Sequence, residues 1–403
     1  MHTDLEQTTD QPLAARPVSR RAAVQFLGLG AGAVAVAGSG ALTWLATTGG
    51  VFSTGTGAAY AAWTAASPQG QPLDLVRAAI LAANAHNTQP WLFTVTNNRI
   101  DVFADMSRAL GTMDSLLREM HISLGCAVEN LTLAGPPNGI ATAVTLLPDP
   151  ADATHIATIA LTRAPVSRSA LFDAITDRHT NRNGYDTDRA VTASQRGALS
   201  ALVDAPDTEL VWFTTGPQMQ AFSALTIRAT EAIIADPQQA ADDFRWYRSR
   251  WHDVQTHKDG ITIDPSGQSP LIRAVSKLLP TTQKQDNDGW LRGTRDTQLP
   301  TAAAFGAIVV TEPHGNLQRL RAGRIWQRMH LTATAAGLAM QPLCQIPERI
   351  DRETSANLPP VFTTAMAAML PAGTHPVMTF RIGYPTGAAL LSPRRPAADV
   401  IHA

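Results

Sequence analysis

The sequence predicts an α+β protein built from two similar halves in one chain. A repeated order of elements is the first observation: each half has an early helix, one long helix and a closing strand. A shared glycine spacing is the second, since Gly125 and Gly139 are 14 residues apart, as are Gly323 and Gly337. Each pair belongs to a long helix and its end, and a strand follows. Repeated order with repeated spacing indicates an internal duplication.

Composition narrows the class of protein. A chain of 403 residues with 44% hydrophobic residues can bury a large core and favours two structural units. A formal net charge of −1 without a long basic stretch argues against nucleic-acid binding. Cys126 and Cys344 are far apart and no CxxC occurs, so no disulfide framework is expected. His252 and His257 are five apart, which is not the spacing of a helical zinc pair, and no metal site is predicted.

The N-terminus differs in kind from the rest of the chain. Arg20 and Arg21 precede a Gly/Ala-rich apolar run, and no charged residue follows before Asp74. This pattern resembles a twin-arginine export signal. A plain membrane anchor stays open as an alternative, because residues 26–46 are about long enough to span a bilayer. Either reading predicts a globular part that faces outside the cytoplasm.

The predicted organisation follows from these signals. Residues 1–50 form a tail that carries the signal or anchor. Membrane association is expected through residues 22–46 of this tail. Residues 51–71 form a linker rich in Gly, Ala and Thr. The first half covers residues 72–165 and the second half residues 166–403.

The elements of the first half are read from their periodicity. "LDLVRAAILAANA" has apolar residues at helical spacing. "WLFTVTNNRIDVFAD" predicts a hairpin, because two β-rich segments flank Asn97 and Asn98. "SLLREMHISLGCAVENLTLAG" predicts a long central helix. "THIATIALTRAP" predicts the closing strand.

The second half repeats this order. A short helix is predicted at "LFDAITDR", strands at "ELVWFTT" and "AFGAIVVTE", a long helix at "GNLQRLRAGRIWQRMHLTATAAG" and a closing strand at "HPVMTFRIGYP". An insertion is expected at about residues 244–293, where Gly and Pro break regular structure and Trp246, Trp251 and Trp290 argue against disorder. It is either a lid over a site or an ordered surface excursion.

Two polar motifs are candidates for a binding site. "NAHNTQPW" places five hydrogen-bonding side chains within six residues after the first helix, which is more than a helix end requires. Arg178, Thr180 and Arg182 alternate, so an extended backbone would direct all three to one side, as a phosphate group requires. A surface ion-pair cluster is the alternative. Arg394 and Arg395, after the last strand, are either a second basic site or a solvated tail.

These motifs carry a resemblance to a known family. "AANAHNTQPW", "RHTNR", "GLAMQPL" and the terminal "RIGYP" and "SPRRP" resemble the nitroreductase superfamily of flavin enzymes. "ADMSRALGTMDSLLREMHISLGCAVENL" and "VFSTGTGAAYAAW" resemble its Acg branch. The resemblance covers roughly residues 51–400. It implies a nitroreductase-like fold, with a central antiparallel-type sheet flanked by helices, in which both halves are fused as a pseudo-dimer. It also implies that the chain is a monomer.

The resemblance further implies bound FMN. Residues implied at the phosphate and ribityl chain are Arg178, His179, Thr180, Arg182, Arg394 and Arg395. Residues implied at the flavin ring are His86, Asn87, Gln89, Gln341, Pro342 and Leu343. His86 stands where many family members have Ser. The first half lacks an Arg-x-Thr-x-Arg motif, so one FMN per chain is expected.

The implied function is an oxidoreductase in which NAD(P)H reduces FMN, which then reduces a nitroaromatic or quinone in a ping-pong cycle. No catalytic side chain is assigned, because the cofactor supplies the chemistry. A flavin-sequestering protein with a lid and little turnover is the main alternative. A membrane-anchored scaffold is a third.

Overall fold

A computed structural model describes residue 44 and residues 46–65, 67–279 and 281–402. The predicted export signal, with Arg20 and Arg21, lies outside the described residues. None of the described helices combines the length and the apolar character that crossing a membrane requires.

The bounds of the regular elements are as follows. The α-helices are α1 Pro72–Ala79, α2 Arg118–Ala134, α3 Ala170–Asp173, α4 Ala193–Ser200, α5 Gly216–Ala235, α6 Pro237–Phe244, α7 Trp251–His257, α8 Pro270–Leu278, α9 Gln283–Gly293, α10 Asn316–Ala335, α11 Gln345–Ser355 and α12 Val361–Ala367. The strands are β1 Trp91–Val95, β2 Arg99–Ala104, β3 Ile140–Leu146, β4 His155–Arg163, β5 Thr208–Phe213, β6 Ala304–Val310, β7 Ala339–Pro342 and β8 His375–Gly383.

Two antiparallel sheets show the internal duplication. The strand orders are β1-β2-β4-β3 and β5-β6-β8-β7, so each half builds its sheet in the same way. Each sheet also has a register irregularity in the equivalent pair, between Val102 and Phe103 in β2 and between Ile308 and Val309 in β6. The predicted α+β class with two halves is therefore confirmed. The expected antiparallel sheet occurs once in each half.

The matched glycines lie where the two long helices cross. A Cβ atom added to Gly125 of α2 would clash with the carbonyl oxygen of Leu320, and one added to Gly323 of α10 would clash with that of Ile122. Only glycine lets the two backbones approach this closely. Gly139 and Gly337 have φ of 67° and 72°, which is the left-handed conformation that glycine adopts without strain. Each glycine in the repeated spacing is thus required by the backbone, either for close helix packing or for a positive φ.

Helix α2 lies at the centre of the molecule. Every residue from Arg118 to Leu131 is buried, on all faces of the helix. The main hydrophobic cluster joins Leu124 and Val128 of α2 to Trp326 of α10 and Phe380 of β8. The halves therefore share one core and are not separate domains joined by a linker.

The two halves differ most in the connection between their first two strands. β1 and β2 are joined by a short turn, whereas β5 and β6 are separated by residues 214–303, which contain α5 to α9. The predicted insertion at residues 244–293 falls inside this longer connection. The insertion therefore takes the place of a hairpin turn.

The C-terminus returns to the first half. The backbone N–H of Phe93 in β1 donates to the Val400 oxygen at 2.8 Å, and the N–H of His402 donates to the Phe93 oxygen at 2.8 Å. The Trp63 indole N–H donates to the Ser392 oxygen at 2.8 Å. The last residues thus hold the N-terminal segment and the first sheet together.

Candidate functional site

A cavity of about 830 Å³ lies between the two halves and under the insertion. Its volume is typical of a cofactor or substrate pocket. Its walls come from the loop after α1, α2, the segment after α3, α10, the end of β7, α11 and the insertion. Wall residues used below are His86, Glu119, Ser123, Cys126, Thr180, Arg182, Asp243, Ile272, Val275, Leu279, Asp286, Trp326, Gln341, Pro342, Gln345 and Glu348.

Helix α2 supplies a stripe of wall residues. Glu119, Ile122, Ser123 and Cys126 all line the cavity, and their spacing places them on one helix face. Sequence analysis identified this helix but not its role in the site. A signal was present, since polar residues at helical spacing interrupt an otherwise apolar segment.

Thr180 and Arg182 line the cavity as the alternating motif predicts. Arg182 donates through Nη1 to the Pro265 oxygen at 3.3 Å and has no carboxylate partner in the described part of the chain. Burial lowers the pKa of Arg182. Gly267 of the insertion has φ of 78°, and a Cβ there would clash with the Arg182 carbonyl. The insertion therefore packs directly on this cationic edge.

Arg178 and Arg394 lie behind the cavity wall and do not line it. They are 2% and 3% exposed and donate to neighbouring carbonyls, Leu81 at 2.9 Å and Ala82 at 3.3 Å. The Nε atom of each has no partner in the described part of the chain. Burial lowers the pKa of Arg178 to about 10. Burial, and next the charge of Arg178, lowers the pKa of Arg394 well below its ordinary value. The fold thus brings together two basic motifs that are distant in sequence.

His179 is also kept off the cavity wall. Its ring packs edge-on against Trp63, with centroids 4.5 Å apart. Burial, together with the charges of Arg178 and Arg394, lowers the pKa of His179 to about 3. The imidazole is therefore neutral at physiological pH.

Arg395 makes different contacts from Arg394. Its backbone N–H donates to Gln89 Oε1 at 2.8 Å, and its Nη2 donates to the Asp399 oxygen at 2.8 Å. Its Nη1 lies 4.0 Å from Asp105. The two arginines therefore have separate partners, and a joint contact with a phosphate stays a prediction.

The residues of the motif "NAHNTQPW" have two different locations. His86 lines the cavity, whereas Asn87 and Gln89 do not. Asn87 Nδ2 donates to the oxygens of Gly260 at 3.2 Å and Pro393 at 2.9 Å. Gln89 Nε2 donates to the Lys258 oxygen at 2.8 Å.

The amides of Asn87 and Gln89 tie the insertion to the C-terminal segment. The loop that carries them has φ of 48°, 54° and 53° at His86, Asn87 and Gln89. The ring contacts expected of Asn87 and Gln89 stay a prediction.

The segment after α10 is likewise only partly at the site. Gln341 and Pro342 line the cavity, and Gln341 donates through Nε2 to Gln298 Oε1 at 2.9 Å while accepting from Arg381 Nε at 2.8 Å. Leu343 belongs to the second hydrophobic cluster and is 1% exposed. Leu343 packs in this cluster and does not line the cavity, and its expected contact with the ring stays a prediction.

A group of acidic side chains forms another part of the wall, and sequence analysis did not find it. His86 Nε2 lies 2.7 Å from Asp243 Oδ1. Burial opposes a charge on His86, but the hydrogen bond and charge of Asp243 outweigh it and raise the His86 pKa. Burial, and next the charge of Asp243, raises the pKa of Asp286 to about 7. These residues come from three distant segments, so no local pattern could have joined them.

Glu119 and Glu348 extend this acidic wall. Burial and the neighbouring Glu119 raise the pKa of Glu348 well above its ordinary value. Gln345 Oε1 and Glu348 Oε2 have no hydrogen-bond donor in the described part of the chain. Within the same ranges, no group of three or more His, Cys, Asp or Glu side chains is arranged to hold a metal ion. The cavity therefore offers a cationic edge and a partly protonated carboxyl wall.

Relatives among characterised sequences point in one direction. A Mycobacterium tuberculosis H37Rv protein provisionally named NAD(P)H nitroreductase Rv3131 is 28% identical over 342 residues, which cover 80% of this chain and 89% of the relative. A second protein of that strain, provisionally named NAD(P)H nitroreductase acg, is 25% identical and covers 81% of this chain and 94% of its own length. The chain resembles NAD(P)H nitroreductases. No protein-family model matches it.

Solved structures give a weaker comparison. A Desulfitobacterium hafniense nitroreductase with bound FMN is 12% identical, with a TM-score of 0.37 over 59% of this chain and 99% of its own. A Bacteroides fragilis nitroreductase with bound FMN is 13% identical, with a TM-score of 0.33 over 58% and 98%. Similarity at this level is too low to assign a cofactor to this chain.

Proposed function

We propose that this chain is an FMN-dependent oxidoreductase of the nitroreductase type, which takes hydride from NAD(P)H and reduces a nitroaromatic or quinone. One observation carries the proposal. A cavity of cofactor size between two duplicated halves has Thr180 and Arg182 in its wall, and among the described residues Arg182 has no carboxylate partner. Similarity to proteins named NAD(P)H nitroreductases over 80% of the chain supports it.

The residues around the cavity fit FMN. Arg182 and Thr180 would hold the phosphate, because a guanidinium and a hydroxyl on one side suit its oxygens. Arg178 and Arg394 lie behind the cavity wall, and among the described residues their Nε atoms have no partner and no carboxylate balances their charge. A phosphate dianion at this edge would offset the cost of burying these cations.

The chemistry divides between cofactor and protein. FMN, when bound, supplies a centre that accepts and returns a hydride. Gln341 is fixed by Gln298 and Arg381 and would orient a flat ring through its amide. The cover formed by the insertion would exclude water. Glu348, kept protonated by burial, would hold a proton at the carboxyl wall.

The alternative function is flavin sequestration. The insertion favours it, because Ile272, Val275 and Leu279 of the α8 region line the cavity and cover it. Turnover would then require an opening step. A visible spectrum of purified protein, before and after NADPH, separates these functions: rapid bleaching supports the enzyme, and a flavin spectrum that NADPH does not change supports sequestration. A colourless protein that takes up no added FMN would contradict both.

Arg182→Ala tests the cofactor site directly. Loss of a charge-assisted contact to a buried phosphate costs about 2–5 kcal/mol of binding, so the variant should lose FMN on dialysis. Arg163→Ala is the control, because Arg163 is exposed at the end of β4. Full flavin occupancy in the Arg182 variant would contradict the proposed phosphate site.

Export and monomeric state are further parts of the proposal. Arg20 and Arg21 precede a long charge-free apolar segment, so the chain would be exported by the twin-arginine route or held at the membrane, facing outside the cytoplasm. Changing both residues to Lys should leave the protein in the cytoplasmic fraction, and unchanged fractionation would contradict this route. The shared core of the two halves favours a monomer, which light scattering would test.

A further inference from the structure

The outward face of α8 is unusually apolar for a water-facing helix. Leu271 and Leu278 are seven residues apart, which places them on one helix face, and they are 55% and 38% exposed. No residue of α8 is buried. Isolated exposed apolar side chains are ordinary, but exposed apolar side chains that share one helix face mark a contact surface.

The start of the described chain adds to this surface. Phe52 is 77% exposed and Trp44 is 60% exposed. Lys277 Nζ donates to the Gly50 oxygen at 3.2 Å and to Thr54 Oγ1 at 3.0 Å, so the residues around Phe52 lie against α8. We call Phe52, Leu271 and Leu278 the α8 surface.

Both cationic side chains of α8 turn toward one buried carboxylate. Lys277 Nζ lies 2.8 Å from Asp264, and Arg273 Nη1 lies 3.7 Å from the same carboxylate. Asp264 is 4% exposed, so both cations are drawn toward the protein. The outward face is left to the apolar side chains.

The position of the α8 surface in the chain indicates its partner. The described chain begins beside it, and the preceding sequence from Phe26 is apolar and charge-free over about the length that spans a bilayer. A short amphipathic helix in a chain with such a segment has the chemistry of an element that lies in the interface of a lipid bilayer. Ile272, Val275 and Leu279 lie on another face of the α8 region and line the cavity.

We propose that the α8 surface rests on a lipid bilayer. The helix then separates the cavity from the acyl region, and an apolar ligand can pass from the lipid to the cavity beside α8 without crossing water. The contact is made by apolar side chains, because both cations of α8 turn toward Asp264 and away from the α8 surface. It goes beyond the proposed oxidoreductase function and does not depend on bound FMN.

A site-specific label on the full chain tests this contact. Leu271→Cys is labelled with bimane, and Val361→Cys on α12 is the matched control, since Val361 is 47% exposed and apolar but belongs to another surface. Cys126 is buried, Cys344 is partly buried, and labelled wild type measures their background. Both proteins are reconstituted in phosphatidylcholine vesicles, with and without bromine on the acyl chains. Brominated lipid should quench the Leu271 label and leave the Val361 label unchanged.

Each other outcome overturns the proposal. Equal emission of the Leu271 label in both vesicles shows that α8 stays in water. Equal quenching of both labels shows unspecific adsorption. If the emission of the Leu271 label is blue-shifted without lipid, and this shift depends on protein concentration, the partner of the surface is a second copy of the chain. The same shift at high dilution assigns it to the N-terminal segment of the chain itself. None of these results bears on FMN binding, which the visible spectrum reports separately.

Discussion

Arg182 and the acidic residues of the cavity belong to different parts of its wall. Burial lowers the pKa of Arg182, and Tyr185 beside it opposes this shift. Asp243, by contrast, acts on both His86 and Asp286. The wall therefore carries positive charge where a phosphate is proposed and exchangeable protons elsewhere. The charges of single residues, and not the arrangement of helices and strands, decide how a ligand is oriented in the cavity.

Asp286→Asn should stabilise the protein near neutral pH. The pKa of Asp286 is about 7 in the folded protein, against an ordinary value of 3.8 in the unfolded chain. The free energy of unfolding of the wild type therefore falls as the pH rises from the lower value to the higher one. The variant lacks this loss and should gain about 1–3 kcal/mol in free energy of unfolding at pH 7.5, with solvent screening allowed for.

Urea unfolding at several pH values measures this effect. The difference between variant and wild type should shrink toward pH 4. Asp288→Asn is the control, because Asp288 lies on the same helix but is exposed and paired with Lys284. A gain that is the same at all pH values would contradict the proposed burial effect.

Helices α2 and α10 depend on glycine at their crossing, as the duplicated spacing implies. Their close contact fixes the distance between the halves, and the cavity lies beside it, with Cys126 of α2 and Trp326 of α10 in its wall. The insertion is the element that differs between the halves and provides the cover. The two long helices thus fix the spacing of the halves, whereas the insertion covers the cavity.

Gly125→Ala should destabilise the protein by about 1–3 kcal/mol or more, because the added methyl group meets the Leu320 carbonyl and the helices must separate. Thermal unfolding measures this. Gly197→Ala in α4 is the matched control, since nothing lies within 4 Å of its Cβ position. That change should be neutral or raise stability by up to about 1 kcal/mol. Equal effects of the two changes would exclude the close crossing.

Replacement of α8 tests the cover. Residues 270–278 are exchanged for a Gly/Ser segment of equal length, which leaves the contacts of Asn87 and Gln89 with residues 258–260 in place. Flavin reduction by NADPH, followed by stopped-flow absorbance, should become faster because the cavity opens without a slow step. An unchanged rate with retained FMN would show that α8 does not limit access.

At the scale of the whole molecule, the halves are interlocked and should unfold as one unit. The C-terminal residues of the second half pair with β1 of the first, and the main core takes side chains from both. Asn87 and Gln89 join the insertion to the C-terminal segment through three hydrogen bonds to backbone oxygens. The cavity is therefore held by the ends of the chain as well as by its centre.

Ending the chain at Leu391 should lower both stability and FMN retention. The deletion removes Val400, which is 0% exposed, the pairing with β1, and the buried Arg394. Loss of one large core side chain alone costs roughly 2–5 kcal/mol, so a clear drop in melting temperature is expected. Removal of Ala403 alone is the control. An unchanged melting temperature would show that the tail is not part of the cooperative unit.

The sequence by itself determined the duplication, the fold class and the cationic edge. Hydrophobic periodicity and glycine spacing are local signals, and alternation of Arg178, Thr180 and Arg182 is a property of extended backbone, although only Thr180 and Arg182 reach the cavity wall.

Only the tertiary structure decided which residues of the remaining motifs face the cavity. In "NAHNTQPW" the amides of Asn87 and Gln89 bind backbone oxygens of residues 258–260 and Pro393, whereas His86 lines the cavity. Asp243, Asp286 and Glu348 meet there from separate helices. Their ionisation depends on burial and on one another, and such through-space effects leave no pattern along the chain.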